Sequence, residues 1–152
     1  MKIISDQFKV HNIEIEIVTE SKIEDDKFNL YSINGFESEF KQVIINLLQN
    51  SKEAIESNKQ QNRNKKILII IQRDALNLKI KIKDNGGGIK KEFLENIFDI
   101  YVSTKEVQQG TGLGLYMSKL IIERNMEGKI IASNIDDGAE IVISFTTKHI
   151  KY

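Results

Sequence analysis

The spacing of apolar residues along the chain predicts a succession of strands and helices. Residues 13–18 alternate apolar and acidic side chains, which is typical of a half-exposed strand. Residues 76–83 place lysine at every second position from Lys79 onward and predict another strand with one buried face. Between them, residues 37–58 carry apolar side chains three and four positions apart, and this spacing predicts an amphipathic helix.

The rest of the chain completes an α+β pattern. The apolar run at 67–72 predicts a buried strand, because it is too short for a helix. Residues 99–111 show no period and end in glycines, so they predict a mobile loop. Further strands are predicted at 28–33, 129–134 and 139–146, and further helices at 91–98 and 113–125. This order of elements predicts a mixed, mostly antiparallel sheet with helices packed on one face.

Length, charge and composition exclude several classes of protein. The 152 residues suit a single domain. The formal net charge is zero and no apolar stretch is long enough to span a bilayer, so we expect no nucleic-acid partner and no membrane contact by this domain. The absence of cysteine excludes disulfides and thiolate metal sites, and it fits a reducing compartment.

A pair of asparagines lies on the predicted long helix. Asn46 and Asn50 are four residues apart and therefore share one face of that helix. Asparagine is unfavourable inside a helix, so two of them beside an apolar face need a reason. Their amide oxygens could serve Mg²⁺, which takes few protein ligands and keeps several waters. The alternative is that both asparagines are merely solvated.

Asp84 begins a glycine-rich segment, Asp-Asn-Gly-Gly-Gly-Ile, directly after a predicted strand. Glycines permit positive φ and let the backbone approach a flat ligand closely. A carboxylate at the end of a strand can accept a hydrogen bond from the exocyclic amine of adenine. The alternative is a plain turn between a strand and a helix.

A second glycine-rich segment, Gly-Thr-Gly-Leu-Gly-Leu at 110–115, opens a predicted helix. Free N–H groups and the positive end of the helix dipole favour a phosphate there. No strand precedes the segment, so it lacks the setting of a dinucleotide-binding fingerprint. The chain also has no Gly-Lys-Ser or Gly-Lys-Thr sequence, which excludes a P-loop.

In this order and spacing, the segments resemble the GHKL ATP-binding superfamily, and within it the catalytic domain of sensor histidine kinases. Residues 46–54 match its N box, 84–89 and 110–115 match its two glycine boxes, and 97–105 resemble its phenylalanine box. The resemblance covers residues 10–147 of one domain, 1–152. It implies the Bergerat-type fold, a two-layer α/β sandwich, and Mg-ATP as the bound nucleotide.

The resemblance also implies a role for each matching residue. Asn50 would ligate Mg²⁺, Asp84 would bind the adenine amine, and Asn46 and Lys105 would be the catalytic residues. Lys105 would face the phosphates. Further contacts to the nucleotide would come from Gly86, Gly88, Ile89, Thr104, Gly110, Thr111, Gly112, Leu113, Gly114 and Leu115.

Some positions depart from the family pattern. Glu53 and Ala54 stand where many members have a basic residue and a tyrosine, which resembles the nitrogen-regulation subclass. Ile100 stands where a proline is usual, and Glu127 replaces a common glycine. These changes remove no ligand, but they leave the conformation of the predicted loop at 99–111 less defined.

Asn46 bears on the choice between activities within the superfamily. ATPases and anti-sigma-type serine kinases place a glutamate there as general base, and an asparagine cannot accept a proton at neutral pH. We therefore expect transfer of the γ-phosphate to histidine; the alternatives are a GHKL-type ATPase, an anti-sigma-type serine kinase or a module that binds ATP without transfer.

The chain's own histidines do not match the family's acceptor. His11 and His149 lack the acidic neighbour and apolar helix of that acceptor, and we expect both to be surface residues. The resemblance implies that the acceptor lies on a dimerisation domain of the same kinase, absent from this chain, with a response regulator downstream. It also implies a cytoplasmic location, in a parent protein that can be membrane-anchored.

Overall fold

The computed structural model describes residues 8–21, 35–58, 64–74, 76–100 and 113–146. The predicted strand at 28–33 and most of the predicted loop at 99–111 lie outside these residues. The described elements are β1 (Ile13–Ser21), α1 (Glu37–Ser57), β2 (Lys65–Arg73), β3 (Asn77–Asp84), α2 (Lys91–Leu94), α3 (Gly114–Leu120), a π-helical turn (Ile121–Asn125), β4 (Lys129–Ile135) and β5 (Gly138–Thr146).

The described strands form one five-stranded sheet in the order β1-β2-β3-β5-β4. β1 and β2 are parallel, and the other neighbouring pairs are antiparallel. Parallel neighbours need a long crossover connection, and α1 lies within the connection between β1 and β2. The predicted α+β fold with a mixed, mostly antiparallel sheet is confirmed.

The register places the apolar residues of neighbouring strands on the same face of the sheet. Ile80 of β3 pairs with Ile71 of β2 and with Ile143 of β5. These side chains and their neighbours two residues away form a core with the apolar residues of α1 and of the π-helical turn. The lysines that alternate with them along β3 lie on the opposite face, as the alternation predicts.

The run at 67–72 forms a strand, but the prediction that it is buried is only half right. Ile67 and Ile69 belong to the core. Leu68 and Ile70 point to the other face and are only partly buried. Apart from Gly138 at the start of β5, no residue on that second face is buried in the described part of the chain, so no described helix covers it.

α1 packs on the inner face through a continuous stripe. Its buried residues are Val43, Leu47, Leu48, Ser51 and Ile55. Leu47 and Leu48 are adjacent, and the other successive residues are three or four positions apart. Burying a side chain such as Leu47 completely stabilises the fold by about 1.5–3 kcal/mol. The stripe contains one polar residue, Ser51, and the reason for it lies in the functional site.

Of the two shorter helices, α2 is shorter than predicted, whereas α3 and the turn after it span the predicted 113–125 with a different last turn. α2 ends at Leu94, and residues 95–98 continue as turns where the spacing predicted helix. α3 becomes a π-helical turn at Ile121, and the N–H of Met126 donates to the carbonyl oxygen of Ile121 at 3.1 Å, five residues earlier. Ile121 and Ile122, at the start of this turn, both belong to the core. None of the described helices is long and apolar enough to cross a membrane.

Candidate functional site

Asp84 ends β3 and is the only acidic residue buried in the described part of the chain. One carboxylate oxygen, Oδ1, accepts hydrogen bonds from the backbone N–H of Gly86 at 2.9 Å and of Ala139 at 3.3 Å. The other, Oδ2, accepts one from the hydroxyl of Ser51 at 3.2 Å. Three elements therefore hold this carboxylate: α1, the glycine loop after β3, and β5.

Burial raises the pKa of the Asp84 carboxyl above its ordinary value. The hydrogen bonds from Gly86, Ala139 and Ser51 favour the charged form and oppose this effect, whereas the nearby charge of Asp137 adds to it. A desolvated acceptor with little access to water is costly to leave unpaired. This arrangement suits a ligand that brings a hydrogen-bond donor, as adenine does.

Ser51 is a site residue that the sequence did not single out. It follows Asn50 directly and faces inward, where its side chain is 4% exposed. The only signal in the sequence is a hydroxyl at a position where the helical spacing calls for an apolar residue. Its partner Asp84 is 33 positions away, so the contact has no local signature.

We expect Ser51→Ala to destabilise the domain at neutral pH by about 0.5–1.5 kcal/mol, because a buried carboxylate oxygen loses its donor. The loss should shrink at acid pH, where Asp84 is protonated and needs fewer donors. Urea unfolding at both pH values measures it. Ser57→Ala is the matched control, since Ser57 is exposed on the same helix. Equal destabilisation by the two variants would contradict the role of Ser51.

The glycine loop after Asp84 packs closely on two neighbours. A Cβ at Gly86 would lie 2.8 Å from the backbone of α1, at the carbonyl carbon of Ala54 and the nitrogen of Ile55. Gly87 and Gly88 have φ values of 92° and 82°, which side chains rarely permit. The glycines therefore serve the fold of the loop itself, beyond the close approach to a ligand that the sequence indicated.

Asn46 connects α1 to the start of α3. Its Oδ1 accepts a hydrogen bond from Gln42 Nε2 at 2.9 Å, and its Nδ2 is 3.5 Å from the carbonyl oxygen of Gly114. The hydroxyl of Ser118 donates to the same carbonyl oxygen at 2.8 Å. The structure thus brings the N box next to the second glycine box, although the two are 68 residues apart.

Asn50 lies one turn beyond Asn46 on α1 and is partly buried. Its side chain makes no hydrogen bond to another residue of the described part of the chain, so its amide oxygen is available to a ligand there. That part of the chain contains no group of three or more His, Cys, Asp or Glu residues that could hold a metal ion. The arrangement fits a cation that takes few protein ligands and completes its shell with water and ligand oxygens.

Several predicted site residues lie outside the described part of the chain: Thr104, Lys105, Gly110, Thr111 and Gly112. The described residues on the two sides of this gap contact each other. Phe98 of the phenylalanine box is buried, and Lys119 Nζ of α3 lies 6.0 Å from the centre of its ring. Leu113 precedes α3, and Leu115 packs against the core.

One protein family, described as "histidine kinase-, DNA gyrase B-, and HSP90-like ATPase", has a sequence profile that matches residues 35–149. The match covers more than half of the chain and includes both glycine boxes. The chain belongs to this family. Membership of this ATPase family confirms the superfamily resemblance.

Relatives within the ATPase family include sensor kinases. The chain is 37% identical over 112 residues to the two-component sensor PprA of Pseudomonas aeruginosa, a match that covers 73% of this chain and 12% of PprA. It is 36% identical over 124 residues to sporulation kinase A of Bacillus subtilis, which covers 81% of this chain and 19% of that kinase. The chain therefore spans less than a quarter of the length of these relatives.

Solved structures of the same ATPase family share the fold. The nucleotide-free catalytic domain of the histidine kinase ThkA superposes with a TM-score of 0.70 at 30% identity, covering 95% of this chain and 85% of that domain. ThkA in complex with the response regulator TrrA matches with a TM-score of 0.63 at 25% identity, covering 96% of this chain and 37% of that one. The domain thus has the architecture of a histidine kinase catalytic domain.

Proposed function

We propose that this chain is the ATP-binding catalytic domain of a two-component sensor histidine kinase. It binds Mg-ATP and transfers the γ-phosphate to a histidine on a separate dimerisation domain. The observation that carries the proposal is the buried Asp84 carboxylate, held by α1 and β5 next to a glycine loop. The family membership and the similarity to sensor kinases support it.

In the proposed complex, Asp84 accepts a hydrogen bond from the exocyclic amine of adenine. The carboxylate has no donor function when ionised, so it favours adenine over guanine, which offers a carbonyl oxygen at the equivalent position. Oδ2 accepts one hydrogen bond, from Ser51, and so retains a lone pair for the amine, whereas a carbonyl oxygen against this buried carboxylate would be repelled. Gly86, Gly88 and Ile89 form the floor of the pocket beside the base.

Asn50 is the proposed protein ligand of Mg²⁺. Its amide oxygen is a hard donor, and one such ligand suffices for a cation that also binds phosphate oxygens and water. When bound, the cation offsets the negative charge of the triphosphate. Asn46 lies one turn away and supports this position through its contacts with Gln42 and Gly114.

The contacts to the triphosphate rest on the family resemblance. We propose that Lys105 supplies the positive charge that faces the phosphates and that Thr104 lies beside it. The backbone of the second glycine box would wrap the phosphates through Gly110, Thr111, Gly112, Leu113, Gly114 and Leu115. Glu53 and Ala54 stand where many members have a basic residue and a tyrosine, which leaves Lys105 as the proposed phosphate-facing cation.

Asn46 favours a kinase over an ATPase of the same family. Its Nδ2 points at the carbonyl oxygen of Gly114, and its Oδ1 accepts a hydrogen bond from Gln42. The amide therefore links α1 to α3. A neutral amide cannot remove a proton from water or from a serine hydroxyl, and general-base assistance is worth about 10²–10⁴-fold. A neutral imidazole is already a nucleophile and needs no such help.

The proposed partners are the histidine-bearing dimerisation domain of the same kinase and a response regulator downstream. His11 contacts the carboxylate of Glu56 on α1, which is consistent with a surface role for this histidine. The complex of ThkA with TrrA supports the response regulator as a partner class. Glu53 and Ala54 support the finer proposal that the kinase belongs to the nitrogen-regulation-like subclass.

Supplying the acceptor separately tests the proposed function. We expect the domain alone to incorporate no acid-labile phosphate from Mg-ATP and to hydrolyse ATP very slowly. A two-helix acceptor segment from a related kinase, added in trans, should become phosphorylated. The transfer should be weak, because no tether raises the effective concentration of the acceptor. Radiolabelled ATP and separation of the two chains measure the transfer.

Asn50→Ala is the variant for this experiment, and it should lower transfer about tenfold or more by removing the proposed metal ligand. Gln49→Ala is its matched control, since Gln49 is an exposed neighbour on α1 that donates to Glu53. Rapid ATP hydrolysis by the domain alone would instead indicate an ATPase of the same family. Phosphate on His11 or His149 would show that the acceptor lies within this chain.

A further inference from the structure

Asn134, near the end of β4, holds both backbone groups of Ile89. Its Nδ2 donates to the carbonyl oxygen of Ile89, and its Oδ1 accepts from the N–H of Ile89, each at 2.7 Å. Ile89 is the last residue of the first glycine box. Asn134 is therefore joined to the glycine loop by two short hydrogen bonds, although it is 45 residues away along the chain.

The pair of bonds needs an amide at this position. A carboxamide is the side chain that both donates and accepts in one plane, so it can bind a peptide group as a neighbouring strand would. Gly88 provides the space for it, because a Cβ there would lie 2.9 Å from Asn134 Oδ1. Asn134 therefore fits in this position only because residue 88 is a glycine.

The Asn134 contact fixes the part of the loop that the sheet leaves free. Asp84, at the start of the loop, is held by Ser51 and Ala139. In the middle, the N–H of Gly87 donates to the carbonyl oxygen of Asp137 at 2.9 Å. The far end is outside the ladder, since β3 stops at Asp84. The two bonds from Asn134 hold this end against the β4–β5 hairpin.

Asn134 is exposed to solvent, whereas the core residues of β4 are not. An exposed amide adds little to the burial that stabilises the domain. Its two bonds converge on Ile89, which ends the loop that begins at Asp84. Replacing Asn134 should therefore change the conformation of the loop without disturbing the packing of the core.

We propose that Asn134 is a positioning residue for adenine nucleotides, which keeps the loop 85–89 in its binding conformation before the ligand arrives. The proposal rests on the proposed function, in which this loop lines the nucleotide pocket. A loop that is already ordered loses less conformational freedom on binding. Removing the Asn134 amide therefore weakens nucleotide binding, and it leaves the rate of the chemical step at saturating ATP unchanged.

The experiment compares Asn134→Ala and Asn134→Asp with wild type, using ADP as the probe. Calorimetry should show that Asn134→Ala raises the Kd for ADP about 5- to 30-fold, because the loop must then be ordered when the ligand binds. The transfer assay with the acceptor in trans should show a higher KM for ATP and a maximal rate within about twofold of wild type.

Hydrogen exchange of the Ile89 amide reads out the contact directly. Asn134→Asp retains an acceptor for this N–H and loses the donor to the carbonyl oxygen, so the amide should stay protected in Asn134→Asp and exchange faster in Asn134→Ala. Asn125→Ala is the control: it removes an exposed amide that donates to Glu39. Glu39 lies 12 positions before Ser51 on α1, or about 18 Å along the helix, so this contact is remote from the one between Ser51 and Asp84.

The outcomes separate the two proposals. Failure of wild type to bind ADP would overturn the proposed function, whatever the exchange data show. If wild type binds ADP and Asn134→Ala binds it equally well, the positioning role is overturned and the proposed function stands. Weaker binding in Asn134→Ala at unchanged urea midpoint, with Asn125→Ala like wild type, is the supporting result.

Discussion

Gly138→Ala is expected to prevent the domain from folding. A Cβ at Gly138, the buried first residue of β5, would lie 1.7 Å from the carbonyl oxygen of Asp84 and 2.9 Å from the Cα of Asn85. These are backbone atoms, so no side-chain rotation relieves the overlap. Relief requires β3 and β5 to separate at the point where Asp84 ends its strand. We expect a cost above about 4–5 kcal/mol, which is a large part of a domain's total stability.

Circular dichroism and urea unfolding measure this effect, and Gly114→Ala provides the matched control. A Cβ at Gly114 would lie 4.0 Å from its nearest neighbour in the described part of the chain, Asn46 Cγ. Alanine also favours the helix that Gly114 begins. Gly114→Ala should therefore fold, with stability near that of wild type. A folded Gly138→Ala with wild-type stability would mean that the β4–β5 turn does not pack on Asp84 in solution.

Asp84→Asn is expected to weaken ADP binding about 5- to 150-fold while leaving the domain at least as stable as wild type at neutral pH. The amide can direct a donor at the adenine amine, which also donates, so the pair loses its hydrogen bond. The stability follows from the raised pKa, whose main cause is burial of the carboxyl. Asparagine fills the same space without a charge that must be desolvated.

The sign of the pH dependence follows from that raised pKa. The folded state holds the Asp84 proton more tightly than the unfolded chain does, so wild-type stability from this group falls as pH rises from the unfolded pKa through the folded one. The unfavourable contribution is complete above the folded pKa and absent below the unfolded pKa. The stability of Asp84→Asn relative to wild type should therefore increase over this range of pH and then level off.

Asp74→Asn is the control, because Asp74 lies before the opposite end of β3. Hydrogen bonds, first of all from the N–H of Leu76, lower the pKa of its carboxyl. A lowered pKa stabilises the fold above the unfolded pKa and is lost as pH falls, so Asp74→Asn should have the opposite pH dependence. It should bind ADP as wild type does. Urea unfolding across pH and ADP calorimetry measure both variants, and unchanged ADP affinity in Asp84→Asn would refute the adenine contact.

The local patterns of the sequence determined the elements of this domain. The alternation along β3 and the helical spacing along α1 depend only on how side chains project from a strand or a helix, and that projection is a property of the local backbone. The order of Asn50, Asp84 and the second glycine box likewise identified the ATP-binding superfamily without any knowledge of contacts. Element ends were less well determined, as the short α2 shows.

Tertiary structure decided what surrounds the motif residues. The sequence indicated that Gly86 lacks a side chain to admit a ligand, whereas its nearest neighbours are backbone atoms of α1. It passed over Ser51, Asn134 and Gly138, which together hold Asp84 and its loop. Each of these residues acts on a partner 33 or more positions away, so no local pattern carries the information.

The parallel pairing of β1 with β2 and the π-helical turn after Leu120 were settled in the same way. A strand does not encode its neighbour, because every strand offers the same backbone donors and acceptors at its edges. The choice depends on which arrangement buries the apolar faces of α1 and the sheet together. Sequence thus determined the elements and the family of this domain, and packing between distant segments determined how Asp84 and its loop are held in place.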